Sequence, residues 1–322
     1  MFVFIITVIL TVLAGLLITT PLTGALVRLR ANYNPKGLQL DDDGNVEPHT
    51  GPVVTSFFAM LGRVKRIEGW SGLFKGIMPA LLETTVLTFF AIIALSDDVR
   101  YRRSKGNPPA SGVLELILYS VFLIAVSLPA TIITYRSITT PYRLPWLNPI
   151  YSLRVLLTPT ERRRPWILYM TPGLFLSQFL HSVVTIIVLG SLRNWLIPRN
   201  PDKPVGYDYD TVKFAIYLVI ASLSTIILSP LEVIVTKLAI QRNHAAAEYN
   251  SVEQEVEGDD VAAEEYVEYS GSEEDVIGLR HEKDPYLGLV DCAKTVAQEE
   301  GWTALYRAWW FTCLAGVSGA FA

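Results

Sequence analysis

The feature that most limits this chain is the length of its uncharged runs. Met1 to Val27 contains no Asp, Glu, Lys or Arg, and neither do Leu116 to Tyr135, Trp166 to Ser191, Ala215 to Pro230 or Trp309 to Ala322. Ile77 to Ser96 contains a single charge, Glu83. A helix needs about 20 apolar residues to cross a bilayer core. Six transmembrane helices are therefore expected, near residues 3–22, 77–95, 114–135, 167–190, 212–236 and 305–322. Pro230 interrupts the fifth and the last is short. A β-barrel would instead show segments of about ten residues with alternating character, and none is present. The composition agrees with an all-α, multi-pass membrane protein: 51% of residues are hydrophobic and the mean hydropathy is +0.34.

The first positive charge is Arg28, so neither a basic signal-peptide start nor an Arg-rich transit helix is expected, and the first span is read as its own insertion signal. Cys292 and Cys313 form no CxxC pair and read as small buried apolar residues.

Charge sets the expected topology. The segments after spans 1, 3 and 5 hold 19 Lys and Arg, and the opposite side holds 7. The positive-inside rule places the first set on the inner face. One stretch departs from this. Asn243 to Leu279 has twelve acids and no Lys or Arg, and an insert over 243–283 is expected to be a solvated, disordered loop. An interaction arm for a protein partner is the functional alternative.

The chain also repeats itself. "EGWSGLFKG" at Glu68 to Gly76 returns as "EGWTALYRA" at Glu300 to Ala308. Spans 1, 3 and 5 each carry a proline near the inner face, Pro21, Pro129 and Pro230, and each is followed seven residues later by a base, Arg28, Arg136 and Lys237. Proline kinks a helix, which a membrane tolerates where packing or a cavity re-satisfies the backbone. Three such kinks spaced 108 and 101 residues apart define three units of roughly 100 residues, divided as 1–110, 111–210 and 211–322. The middle unit is the weakest match, and "RRPWILYMTPGLF" aligns Tyr169 with Phe74 and Tyr306.

These motifs resemble the mitochondrial carrier family over the whole chain. The resemblance implies a threefold pseudosymmetric bundle around a water-filled cavity, with alternating access to a central site. It rests on Glu68, Gly69, Phe74, Lys75 and Gly76, on Glu300, Gly301, Tyr306 and Arg307, and on the kink prolines Pro21, Pro129 and Pro230. The family's inner-face charge network is largely missing. Its acid positions read Thr23, Thr131 and Glu232, and its base positions read Leu26, Thr134 and Val235. Arg28 is the base expected to reach Glu232. On the other face, Asp97 and Arg100 keep the family spacing, Gly190 stands in the acid position before Arg193, and the last helix is expected to be shortened.

Counting from the glycine motifs, the resemblance places substrate contacts at Glu83 and Thr84, Gln178 and Phe179, and Ala315 and Gly316. Arginine forks suit carboxylate and phosphate, and none lies inside the even spans beyond their ends. A nucleotide or a di- or tricarboxylate is therefore not the expected substrate. A cation, an amino-acid-like zwitterion or a largely apolar solute fits Glu83 better, since a carboxylate at membrane depth marks a functional site by default. Two readings follow. One is transport of a small metabolite across a mitochondrial membrane, the inner before the outer. The other is a non-transporting scaffold of the outer membrane acting in fusion or lipid organisation. No enzyme motif, metal-ligand spacing or cofactor-binding loop is present, and nucleic acid is not an expected partner. The basic "ERRRP" at Glu161 to Pro165 faces anionic lipid headgroups on this reading.

Overall fold

The computed structural model describes residues 2–36, 52–90, 113–146, 148–197, 210–243, 270–271, 274–282 and 284–320. Asp97 and Arg100 lie outside these residues. Among the described residues the fold is helical throughout its spans, because lipid offers a backbone no hydrogen-bond partner and the helix satisfies it internally.

Three long helices each contain one kink proline: α1 (Phe2–Ala31), α4 (Val113–Thr139) and α8 (Thr211–Ile240). Their last turns hold Arg28 and Arg30, Arg136, and Lys237. Bases there complement the negative end of the helix dipole. Between these helices run α3 (residues 77–90) and α7 (Leu174–Leu196). Helix α10 (Trp309–Ser318) follows the third motif. Five helical stretches are long and apolar enough to cross a membrane: Ile6–Ala31, Gly69–Phe90, Ser120–Thr139, Leu174–Leu196 and Thr211–Ile240. The expected sixth span is represented by the ten residues of α10.

Surface helices lie at the end of the bundle that holds Arg28, Arg136 and Lys237. In α2 (Phe57–Ile67) Phe57, Met60 and Val64 face inward at helical spacing, and in α9 (Leu289–Glu299) Cys292 and Val296 do. The middle third uses two shorter pieces, α5 (Pro149–Leu156) and α6 (Pro159–Arg163). Outward-facing apolar residues such as Leu10, Ile18, Leu82, Phe89, Val219, Leu223 and Ile227 are exposed, as a lipid-facing surface requires.

Buried residues concentrate at the helix ends. One cluster joins Leu128, Ile132, Leu174, Val233, Leu238 and Val296. A second joins Leu26, Leu29, Met60 and Val64 with Val276 and Ile277. That second cluster includes two residues from the C-terminal part of the expected acidic insert. Val276, Ile277 and Gly278 are buried, Val276 and Ile277 being apolar enough to leave water and each only 7% exposed, while residues 244–269 of the expected insert lie outside the described residues.

Candidate functional site

The bases seven residues after the kink prolines are not free charges. Each is buried against one acid. Arg28 Nη2 donates to Glu68 Oε2 at 2.6 Å, Arg136 Nη1 to Glu161 Oε2 at 2.6 Å, and Lys237 Nζ to Glu300 Oε1 at 2.6 Å. The repeat motif acids Glu68 and Glu300 thus anchor the first and third kinked helices, and Glu161 anchors the second. Glu161 is one that sequence reasoning read only as part of a lipid-facing basic cluster. Its signal was available: it is the only acid between Arg136 and the start of α7, and "TPTE" has the pattern of a helix-start capping box. Thr158 Oγ1 accepts from Glu161 N at 3.2 Å and Thr158 N donates to Glu161 Oε2 at 3.1 Å.

A buried charge needs all its hydrogen bonds met, and here they are. Glu161 also accepts from Arg136 Nη2 at 2.8 Å and from Asn243 N at 3.0 Å. Burial works against its ionised form, but the bonds and charge of Arg136, with the amides of Asn243 and Thr158, hold the carboxyl below its ordinary range. Glu68 takes a second base, Lys75, at 2.6 Å, and Glu300 takes Arg307 at 2.8 Å.

The second bases tie neighbouring units together. Lys75 Nζ donates to the carbonyl of Thr140 at 2.8 Å. Arg307 donates to the carbonyl of Asn32. In the middle third Met170 stands where Lys75 and Arg307 stand in the others. Arg136 compensates, using Nη2 on the carbonyl of Gln241 at 2.6 Å. Asn32, Thr140 and Gln241 each lie eleven residues after a kink proline. The result is a closed ring, first unit to second, second to third, third to first.

Turn geometry explains the glycines. Gly69 and Gly301 take φ of +70° and +91° after the motif acids, a region that residues with a Cβ rarely enter. A second left-handed position precedes each even helix: Gly76 at +86°, Gly173 at +76° and Ala308 at +56°.

A cavity of about 300 Å³ lies between the helices and is lined by Arg30, Ser127, Thr131, Tyr135, Gln178, His181, Ser182 and Glu232, with Ile124 and Val235. Arg30 Nη2 pairs with Glu232 Oε2 at 2.5 Å, and His181 Nε2 lies 3.3 Å from Glu232 Oε1. Thr312 Oγ1 donates to Glu232 Oε2 at 2.5 Å and accepts from Arg30 Nη2 at 3.0 Å. The partner of Glu232 is therefore Arg30, not Arg28, because Arg28 is held by Glu68. Just beyond His181, α7 widens into a π-helical stretch over Val183–Leu189, an irregularity frequent at functional sites.

The predicted contact residues divide. Gln178 lines this cavity. Phe179 packs against the neighbouring core and stacks on Phe175 at 6.4 Å. Ala315 is exposed, and a Cβ on Gly316 would meet the Ala221 carbonyl at 3.3 Å, so Gly316 faces α8. Thr312, one turn earlier, is the α10 residue that reaches Glu232. Thr84 hydrogen-bonds back to Ala80 O at 2.7 Å. Glu83 lines a separate, mostly apolar crevice of about 1120 Å³ with Pro129, Ile133, Trp146 and Leu156. Among the described residues it has no ion-pair partner.

Kinked helices with buried base–acid anchors around a polar cavity define a carrier-type, multi-pass membrane protein. Residues 211–322 match the family model described as mitochondrial carrier protein, and this match over the last third of the chain supports the resemblance to that family. No curated protein matches the chain. The match and the apolar helices support a carrier-type, multi-pass protein of a mitochondrial membrane in general.

Proposed function

We propose that this chain carries a small zwitterionic solute, of amino-acid size and charge, across the inner mitochondrial membrane by alternating access. The observation that supports this is the cavity itself, where Arg30, Glu232, His181 and Thr312 meet from α1, α8, α7 and α10. An acid and a base side by side offer an ammonium and a carboxylate group each its counterpart. Two further polar atoms of lining residues are unused: Gln178 Oε1 accepts no hydrogen bond and Arg30 Nε donates none. A volume of about 300 Å³ is at the small end of ligand sites, which run from about 300 to 1,000 Å³. A single arginine beside a glutamate also makes a poor site for a polyanion, whose charges would face Glu232. The excess of Lys and Arg on one face supports an orientation with α2 and α9 toward the matrix.

Ligand-dependent stabilisation tests the reading. A solute that binds the folded state raises its melting temperature by mass action. A panel of amino acids and amines is expected to contain a stabilising member whose effect is lost in Glu232→Gln. A panel in which only nucleotides or tricarboxylates stabilise would overturn it.

A further inference from the structure

Three described positions, Ser270, Gly278 and Tyr286, each touch the end of a different kinked helix. Ser270 N donates to the carbonyl of Pro141 at 2.9 Å, just past α4. Eight residues on, Gly278 N donates to Asn32 Oδ1 at 3.1 Å and its carbonyl accepts from Tyr33 N at 2.8 Å, just past α1. Eight residues further, Tyr286 N donates to Gln241 Oε1 at 2.9 Å and its carbonyl accepts from Gln241 Nε2 at 3.2 Å, just past α8. Eight extended residues reach at most roughly 29 Å, ample for a step between helices packed about 8–10 Å apart.

Side chains seat this segment. Arg63 pairs with Glu274 at 2.6 Å and donates to the carbonyls of Val276 and Asp275 at 3.0 Å each. Arg280 pairs with Glu299 at 3.0 Å. Val276 and Ile277 are buried in one cluster with Leu26, Leu29, Met60 and Val64. Leu26 matters here. It stands where the family resemblance expects a network base, and it contributes an apolar side chain to the cluster that receives the segment.

We propose that the described residues of this stretch, 270–271, 274–282 and 284–287, act as a strap that holds the inner mouth of the bundle shut. It does so in place of the ion pairs that Thr23, Leu26, Thr131, Thr134 and Val235 cannot make. Its anchors on Pro141, Asn32 and Gln241 fix the three kinked helices relative to one another at the end where they would have to spread. Opening on that face therefore requires the strap to lift, and its apolar pair to leave the Leu26 cluster.

Thiol accessibility in the full-length protein tests this without a known solute. Cys313→Ala provides the background. Cys292 stays silent there, since it is buried and burial pushes its thiol up to about 12. In proteoliposomes a membrane-impermeant maleimide is expected to label Ile277→Cys at least about tenfold more slowly than Leu287→Cys, whose parent residue is 77% exposed. Adding Asn32→Ala with Gln241→Ala is expected to raise the Ile277→Cys rate toward that of Leu287→Cys. It should also let the reagent reach Thr131→Cys in the cavity from the strap side, where the intact strap blocks it. Arg63→Ala is the second loosening variant if the double alanine does not fold, and it should act in the same direction. Equal labelling of Ile277→Cys and Leu287→Cys overturns the proposal. So does access to Thr131→Cys from the strap side with every anchor in place. Protection of Ile277 does not depend on whether the cavity carries a solute, so failure of the strap and failure of the transport reading are separate results.

Discussion

Tyr169 donates its hydroxyl to the carbonyl of Ala125 at 2.8 Å, and Ala125 lies four residues before Pro129. In a regular helix that carbonyl would accept from the amide at position 129, which proline lacks. Tyr306 does the same for the third unit, donating to the carbonyl of Ile226 at 3.2 Å, four residues before Pro230. The aromatic position of the repeat motif thus repairs the hydrogen bond that the kink removes. In the first unit the position is Phe74, which has no hydroxyl and packs against the cluster of Ala25, Leu26 and Leu73 instead.

Tyr169→Phe and Tyr306→Phe are each expected to cost about 1 kcal/mol, the scale of an interhelical side-chain bond in a membrane protein. Thermal unfolding in detergent checks this. Phe74→Leu keeps the apolar contact and removes no hydrogen bond, so it is expected to change the melting temperature less than the better placed of the two tyrosine variants, Tyr169→Phe. A loss at Phe74→Leu equal to that at Tyr169→Phe would assign the effect to ring packing.

The Arg136–Glu161 pair gives a second prediction. Both side chains are at most 3% exposed. Removing one charge leaves the other buried and uncompensated, which costs about 3–5 kcal/mol. Glu161→Gln is expected near the lower end, because an amide oxygen can still accept from Thr158 N. The ring contact from Arg136 to Gln241 should loosen with it.

Acid should reproduce that variant. The Glu161 carboxyl is held below its ordinary range in the folded chain. Its contribution is therefore complete above the unfolded carboxyl pKa, about 4.3, and is lost as pH falls below it toward the folded value. Melting temperature followed from pH 7 to below 4 is expected to fall less steeply in Glu161→Gln than in the parent. Parallel curves would show that other carboxylates carry the acid sensitivity.

Ala308 occupies φ +56° and ψ 36°, where its counterparts are Gly76 and Gly173. A Cβ in the left-handed region costs roughly 1–2 kcal/mol, and glycine returns part of that as unfolded-chain entropy. Ala308→Gly is expected to raise stability by about 0.5–1 kcal/mol, read as a higher melting temperature.

Much of this was legible in the residues. Uncharged runs mark the spans, and prolines with a base seven residues on mark the three units, because both are local patterns that lipid and helix geometry impose. What was not legible depends on contacts between distant segments. Glu161 was passed over because its unit writes Glu-Arg instead of Glu-Gly and delays the aromatic from six residues to eight. Arg30 is missed because the count covers only the even helices while Arg30 lies in the last turn of α1, and Thr312 because counting from the motif fixes depth along a helix only to within a turn. That same uncertainty placed the contacts on Ala315 and Gly316. Glu83 stands out in the sequence as a carboxylate within an apolar span, yet periodicity does not say which of two cavities a side chain lines. The strap was hidden because its acidic flank reads as solvated, and only the short apolar pair Val276 and Ile277 betrays it.

The most direct test is solute flux in proteoliposomes of the full chain and of Glu232→Gln and Arg30→Gln. The account predicts exchange of a labelled small zwitterion by the parent. Both variants should lower it by at least about 100-fold, as loss of a 3 kcal/mol charge-assisted contact at a binding step implies, while Glu83→Gln retains it. Exchange that survives Glu232→Gln but disappears in Glu83→Gln would move the site to the lateral crevice and contradict the central claim.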